Sequence, residues 1–376
     1  MSENLLAVSL LDGVDVSPLS EPLELAGLPL QNHYAMAPMT RQFAIDGVPG
    51  EDVVAYYTRR APSLGLIITE GVYIEEPSAG TSANVPHIYG EAALDGWKAV
   101  IESVHGLGAK IIPQLWHLGA ARQAGAPPVA EAPVVSPSGI DGQGNIVGDP
   151  LSKAQMANIA QAFAQAALNA QKTGFDGVEI HGAHGYLLDQ FMWHVTNRRS
   201  DEYGGPIENR VRFPAEVVAA IRKAVGPDYP IVFRFSQWKG GAYDARLAGD
   251  PRELEAYLLP LAEAGVDIFH ISTRRFPVAE FPGASLSLAG WVKQLTGKPT
   301  IAVGSVGVPY AFHDENGPQA DNLSLARVME AYTRGEFDVL AVGRALLADP
   351  YFVVKLSDGI PEAINLYTKT AEEVLY

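Results

Sequence analysis

His181-Gly-Ala-His184-Gly-Tyr186 sets two imidazoles and a phenol close together in the chain. His-x-x-His supplies two nitrogens to a metal, but zinc or iron asks for a third protein ligand, and His117, His270 or a carboxylate are the candidates. Two imidazoles can equally well donate hydrogen bonds to an anionic or carbonyl oxygen. Tyr186 would add a neutral proton donor beside them. The spacing alone leaves both chemistries open.

Other residues suggest an anion or a polar ring. Gly304-Ser305-Val306-Gly307 and Gly343-Arg344 each follow a short apolar run. Glycine turns expose backbone N–H groups and Arg344 adds a guanidinium, which together suit a phosphate. Arg234 stands inside IVFRF (231–235), where a buried cation needs a partner. Each residue also has an ordinary reading: Gln114 satisfying backbone groups, Arg234 in a structural ion pair, the glycines in plain strand-to-helix turns.

Their joint placement shifts the balance, because the elements that carry them repeat. The apolar runs AMAPM (35–39), LIITE (66–70), KIIPQL (110–115), GVEIH (177–181), IVFRF (231–235), DIFHIS (267–272), TIAVG (300–304) and VLAVG (339–343) read as parallel strands buried on both faces. Helical stretches separate them. Ser152 with Gln155 forms a capping box ahead of an apolar stripe at Met156, Ile159, Phe163, Ala167 and Ala170, and Gly174 supplies the stop. Asp250, Pro251 and Glu253 open another helix that Gly265 closes, with Pro260 expected to bend it. Strand-then-helix repeated this often predicts an α/β fold, a single (β/α)8 TIM barrel over 1–376, whose site lies at the carboxyl ends of the strands. Almost every strand delivers a polar residue or glycine to that rim. Residues 1–33, with the alternating LELAGLPL, are expected to cap the barrel bottom as a β-hairpin. Residues 119–150, rich in Gly and Pro and without periodicity, are expected to form a long substrate-side loop.

Composition narrows the chemistry. The chain of 376 residues carries 27 Lys and Arg against 43 Asp and Glu, a formal charge of −16, which disfavours nucleic acid and anionic membranes as partners. It has no cysteine, which removes disulfides, a thiol nucleophile and Cys-ligated metal centres. No long uncharged apolar run and no basic leader are present, so a cytoplasmic address is expected.

Several segments now become specific. From Pro18, PLSEPLELAGLPLQNHYAMAPMTR (18–41), ITEGVYI (68–74), IIPQLWHLG (111–119), GFDGVEIHGAHGYLLDQFMWHVTNRRSDEYGGPIENRVRF (174–213), GSVG (304–307) and FDVLAVGRALLADP (337–350) resemble the Old Yellow Enzyme family of FMN-dependent ene-reductases over nearly the whole chain. The resemblance implies non-covalent FMN and NAD(P)H as hydride donor. NAD(P)H would reduce the flavin, and hydride would pass from flavin N5 to the β-carbon of an activated α,β-unsaturated carbonyl or nitro compound. Pro38, Met39 and Thr40 would meet the flavin ring, with the Gly71 amide nearby. Gln114 would take the pyrimidine edge and Arg234 the N1–C2 carbonyl side. Gly304, Ser305, Gly343 and Arg344 would hold the phosphate. His181 and His184 would grip the substrate oxygen, Tyr186 would protonate the α-carbon, and Trp116 would line the substrate pocket. Asp201, Tyr203 and Glu208-Asn209-Arg210 are family features read as structural.

The chain departs from many relatives in carrying His/His where they carry His/Asn, and it has Thr40 where one branch has a redox-tuning Cys. The alternatives are a metal-dependent hydrolase on the same barrel using His181 and His184, and a non-catalytic flavin- or steroid-binding protein. Small activated alkenes are the expected partners, and a homo-oligomer is compatible with the sequence.

Overall fold

The computed structural model describes residues 10–309 and 324–376. The first nine residues of the expected cap therefore lie outside the described residues. The near-continuous apolar runs form eight parallel strands, each buried on both faces. They are β3 (Tyr34–Met36), β4 (Leu66–Tyr73), β5 (Lys110–Trp116), β6 (Val178–His184), β7 (Ile231–Lys239), β8 (Ile268–Ser272), β9 (Thr300–Val303) and β10 (Val339–Val342), preceded by a hairpin of β1 (Leu23–Leu25) and β2 (Leu28–Leu30). The barrel closes in chain order, with β10 pairing β3.

The hairpin sits where the alternation predicts. Leu25, Leu28 and Leu30 join Ala35, Leu66, Ile68, Ile112, Val232, Ile268, Ile301, Val339 and Ala341 in one buried cluster. Each such leucine or isoleucine contributes on the order of 2 kcal/mol by leaving water. These residues are the inward-facing floor, and the two-residue period of a strand then dictates what lies above them. Ile112 leads to Gln114 and Trp116, Val232 to Arg234, Ile268 to His270 and Ser272, and on β6 Glu179 leads to His181. An apolar floor thus gives way to a polar middle and then to the site.

The helices begin and end where their caps require. The helix Lys153–Thr173 starts at a complete Ser152–Gln155 capping box and stops at Gly174, whose φ of 109° suits a residue without Cβ. The Asp250 side chain accepts from the Arg252 and Glu253 amides, opening the helix Pro251–Ala264, which continues through Pro260. Residues 119–150 hold no element beyond the turn Gly119–Ala121. Arg122 gathers this loop by donating to the carbonyls of Gly80, Ala126 and Val129. The far part of the loop leans on residues 193–199, where Arg199 donates to Pro137 and the Arg198 amide to Ser138 Oγ. Asp201 pairs with Arg199, Tyr203 donates to Glu216, and Asn209 donates to the Gly204 carbonyl. These bonds tie the following loop to itself and to the next helix.

Candidate active site

β6 and β7 carry the centre of the site. They run in register, His181 opposite Arg234, until a shift between Gly182 and His184 brings His184 opposite Lys239. His184 has a φ of 64°, uncommon for a residue with a side chain. That turn folds the chain so that three rings converge: His181 lies 5.1 Å from His184 and 4.8 Å from Tyr186, both edge-on. Trp116 packs edge-on to Tyr186 at 5.0 Å and nearly parallel to His181 at 6.2 Å.

Both histidines are held well below the usual imidazole range, first by burial and then by the Arg234 cation. Each ring is therefore neutral near pH 7 and carries one N–H. The Nδ1 of His181 accepts the Ala183 amide at 3.4 Å, which leaves the proton on Nε2. His184 places Nε2 2.8 Å from Ser272 Oγ and stacks on Trp238 at 4.2 Å. Burial pushes the Tyr186 phenol up to about 12, so it stays protonated. Two neutral donors beside a retained phenolic proton suit an oxygen that gains negative charge and a neighbouring atom that accepts a proton.

Below the rings lies a polar layer that sequence reading found only in part. Gln114 Nε2 donates to Glu179 Oε1 at 2.7 Å, and Glu179 Oε2 meets His270 Nδ1 at 2.6 Å, all of it buried. Arg234 is buried with Nε unpartnered, its charge supported by Glu179. A flavin pyrimidine edge, with carbonyl acceptors and one N–H, fits this layer: the Gln114 carbonyl can accept, and the Arg234 fork can donate. Glu179 and His270, the latter weighed only as a metal ligand, were not expected in this layer, nor were Ser272 and Trp238 expected at the site. The signal for the first two was present, since a charged or titratable side chain inside an apolar strand needs a buried partner.

The remaining expected residues surround this centre. Pro38, Met39 and Thr40 follow β3, and Glu70 fixes their loop by accepting the Arg41 and Gln42 amides at 2.8 and 3.1 Å. A Cβ at Gly71 would stand 2.5 Å from the Trp116 ring, so the glycine is required by Trp116 itself. At Gly343 a Cβ would make ordinary contacts with Met39 Sδ at 3.6 Å and Ala37 at 3.8 Å, which sets this turn beside the segment that follows β3. Ser305 has a φ of 55°, donates to the Arg274 carbonyl at 2.8 Å and accepts from Arg344 Nη2 at 3.3 Å. A Cβ at Gly304 would come 2.5 Å from Thr273 Oγ1. The two late glycine turns and Arg344 are thus brought together.

The metal alternative loses its third ligand. Among the described residues no group of three or more His, Cys, Asp or Glu is placed to hold a metal ion. His117 is turned to Glu76, 3.0 Å from Nε2, while its Nδ1 accepts the Gly119 amide. His270 meets Glu179 through Nδ1, and among the described residues its Nε2 joins no set of three ligands. Among the described residues no helix is long and apolar enough to cross a membrane.

The profile of the NADH:flavin oxidoreductase / NADH oxidase family matches residues 18–363. The chain is 33% identical over 347 residues to 12-oxophytodienoate reductase 2 of Arabidopsis thaliana, covering 89% of this chain and 86% of the relative. It is 35% identical over 355 residues to the NADH oxidase of Thermoanaerobacter brockii, covering 89% of this chain and 50% of that longer protein. Among solved structures, morphinone reductase superimposes with a TM-score of 0.78 at 30% identity, over 95% of this chain and 94% of that one. Morphinone reductase in complex with tetrahydroNAD gives 0.77 at 28% identity, over 94% and 93%.

Proposed function

The chain belongs to the NADH:flavin oxidoreductase / NADH oxidase family, the Old Yellow Enzyme family to which its motifs point, and uses FMN and NAD(P)H; from that premise we propose that it reduces activated alkenes. The observation that carries this reading is the convergence of the neutral His181 and His184 rings with the protonated Tyr186 beside the buried Arg234.

FMN held here would supply the hydride chemistry that links NAD(P)H to the substrate. Gln114 and Arg234 would hold the pyrimidine edge, and the Arg234 cation favours negative charge there. Gly304, Ser305, Gly343 and Arg344 would hold the phosphate. Pro38, Met39, Thr40 and Gly71 would line the ring. His181 donates from Nε2 to the carbonyl or nitro oxygen of the substrate, with His184 as second donor. Their hydrogen bonds strengthen as that oxygen becomes anionic, drawing electron density from the β-carbon. Tyr186 gives its proton to the α-carbon. Trp116, locked between Gly71 and Tyr186, walls the pocket and limits which alkene face is presented.

The test is purification with its flavin and steady-state reduction of 2-cyclohexenone and a nitroalkene with NADH and NADPH. His181→Ala should raise KM and lower kcat for the enone, since one oxyanion donor contributes on the order of 10²–10³-fold in similar sites. A parent that oxidises NAD(P)H but reduces neither alkene overturns the proposal.

A further inference from the structure

Behind the substrate histidines lies a fully buried ion pair that the proposed chemistry does not use. Lys239 Nζ is 2.8 Å from Asp189 Oδ1, with side-chain exposures of 1% and 0%. The second carboxylate oxygen, Oδ2, accepts the Gly185 amide at 2.7 Å. Gly185 follows His184, and the two take φ values of 84° and 64° in succession. The same backbone is gripped from β7: the His184 amide donates to Ser236 Oγ at 3.0 Å, and the Gly240 amide donates to the His184 carbonyl at 3.0 Å. Lys239 itself donates to the Ser236 carbonyl at 3.1 Å, so one ammonium ties the carboxylate to the strand that holds His184.

A residue with a side chain seldom takes the left-handed conformation, and surrounding bonds must hold it there. A carboxylate is an acceptor only, and a strong one toward a backbone N–H. A lone buried carboxylate is costly, which explains the lysine: it is the counter-charge that lets an ionised acceptor sit beneath the turn. We infer that Asp189, with Lys239 as its buried counter-ion, is a positioning residue for substrate binding: by holding the Gly185 amide it keeps the His184 turn in the conformation that sets the two imidazoles 5.1 Å apart. The inference rests on the reading of His181 and His184 as the grip on the substrate oxygen. Neither charge touches the substrate, so the effect is on its binding and orientation, while the FMN-holding residues on β5, β7 and the late turns stay in place.

The test uses the FMN-loaded full chain and p-chlorophenol, whose phenolate gives a long-wavelength band with oxidised flavin. Both double variants compared remove the buried charges together, so neither leaves one unpaired. Asp189→Leu with Lys239→Met lacks the acceptor, and its Kd for p-chlorophenol should rise about tenfold or more while FMN content is kept. Asp189→Asn with Lys239→Met retains an amide oxygen for Gly185 and should bind within about threefold of the parent. In the parent, the Gly185 amide should exchange its hydrogen slowly, a measurement that needs no variant. Rapid exchange there, or a Leu/Met variant that binds the phenol like the parent, overturns the positioning role. A parent whose flavin gives no band with p-chlorophenol, together with an enone KM unmoved by His181→Ala, overturns the substrate-oxygen reading and this inference with it.

Discussion

Nδ1 of His270 stands 2.6 Å from Oε2 of Glu179, both side chains wholly buried across the barrel interior from β8 to β6. The other carboxylate oxygen accepts from Gln114, so the amide nitrogen of Gln114 points to Glu179 and its carbonyl is left for another partner. Glu179 also supports the Arg234 cation. One carboxylate therefore orients the neutral half of the proposed pyrimidine site and balances the charged half. Glu179→Gln would remove the counter-charge and leave the Gln114 amide without a fixed orientation. A charged hydrogen bond contributes about 1.5–3 kcal/mol, so the Kd of the apoprotein for FMN should rise roughly tenfold to a hundredfold. Fluorescence titration of FMN measures this, and an unchanged Kd would sink the orienting role.

Arg344 is expected to act at the other end of the cofactor. It is buried against Tyr367, 5.2 Å from the ring centroid, and donates to Ser305 Oγ. Arg344→Ala should leave the barrel folded and weaken FMN retention by about tenfold to a hundredfold, the loss of a charge-assisted contact to phosphate. The same titration with riboflavin separates the roles. Riboflavin lacks the phosphate, so its affinity should barely change, and an equal loss for both flavins would refute the phosphate contact.

The barrel was legible because parallel strands buried on both faces announce themselves as apolar runs. Their ends were less so. β6 and β7 run on to His184 and Lys239, past the expected His181 and Phe235, because the register shift at Gly182 lets two polar segments continue pairing. The first strand is shorter than AMAPM, ending at Met36 before Pro38, whose ring carries no N–H for the ladder. His181, His184 and Tyr186 lay within one contiguous motif, so their grouping could be read directly. Glu179 with His270, and Asp189 with Lys239, could not be paired in advance, since their partners are joined only by barrel closure and by the left-handed turn at His184.

Glu70 offers a pH test of the loop that carries Thr40. Burial pushes this carboxyl up from its ordinary 4.5 to about 7, against the pull of the Arg41 and Gln42 amides it accepts. The folded state thus holds the proton more tightly than the unfolded chain. Its contribution to stability is fully present below pH 4.5 and is lost as pH rises through about 7. Glu70→Gln keeps an acceptor for both amides and cannot ionise. The variant should therefore be more stable than the parent at pH 8, by at most about 3 kcal/mol, with the gap closing toward pH 4.5. Denaturant unfolding of both proteins at pH 5 and pH 8 decides it. A gap that does not change with pH would show that Glu70 is ionised in the same range folded and unfolded.

Tyr186 bears on the proton step itself. Its phenol, raised to about 12, keeps its proton throughout the neutral range, and its ring lies 4.8 Å from His181 and 5.0 Å from Trp116. On the proposed reading, a carbanion forming at the α-carbon, conjugated with an oxygen that His181 and His184 would hold, would be basic enough to take that proton. Positioned general-acid catalysis contributes about 10²–10⁴-fold, so Tyr186→Phe should slow reoxidation of the reduced enzyme by an enone by roughly that factor. Reduction of the oxidised enzyme by NAD(P)H requires no proton from the phenol and should hardly change. A nitroalkene should be affected less than the enone, because its nitronate is stable and can be protonated later in water. Phenylalanine preserves the edge-on packing against Trp116, so a purely structural tyrosine predicts little change in any step. Because the phenol ionises only near pH 12, the parent's enone rate should show no loss from Tyr186 between pH 6 and about 10. Stopped-flow measurement of the two half-reactions separates the cases: an enone rate that survives the substitution, or equal slowing of both half-reactions, removes Tyr186 from the chemistry.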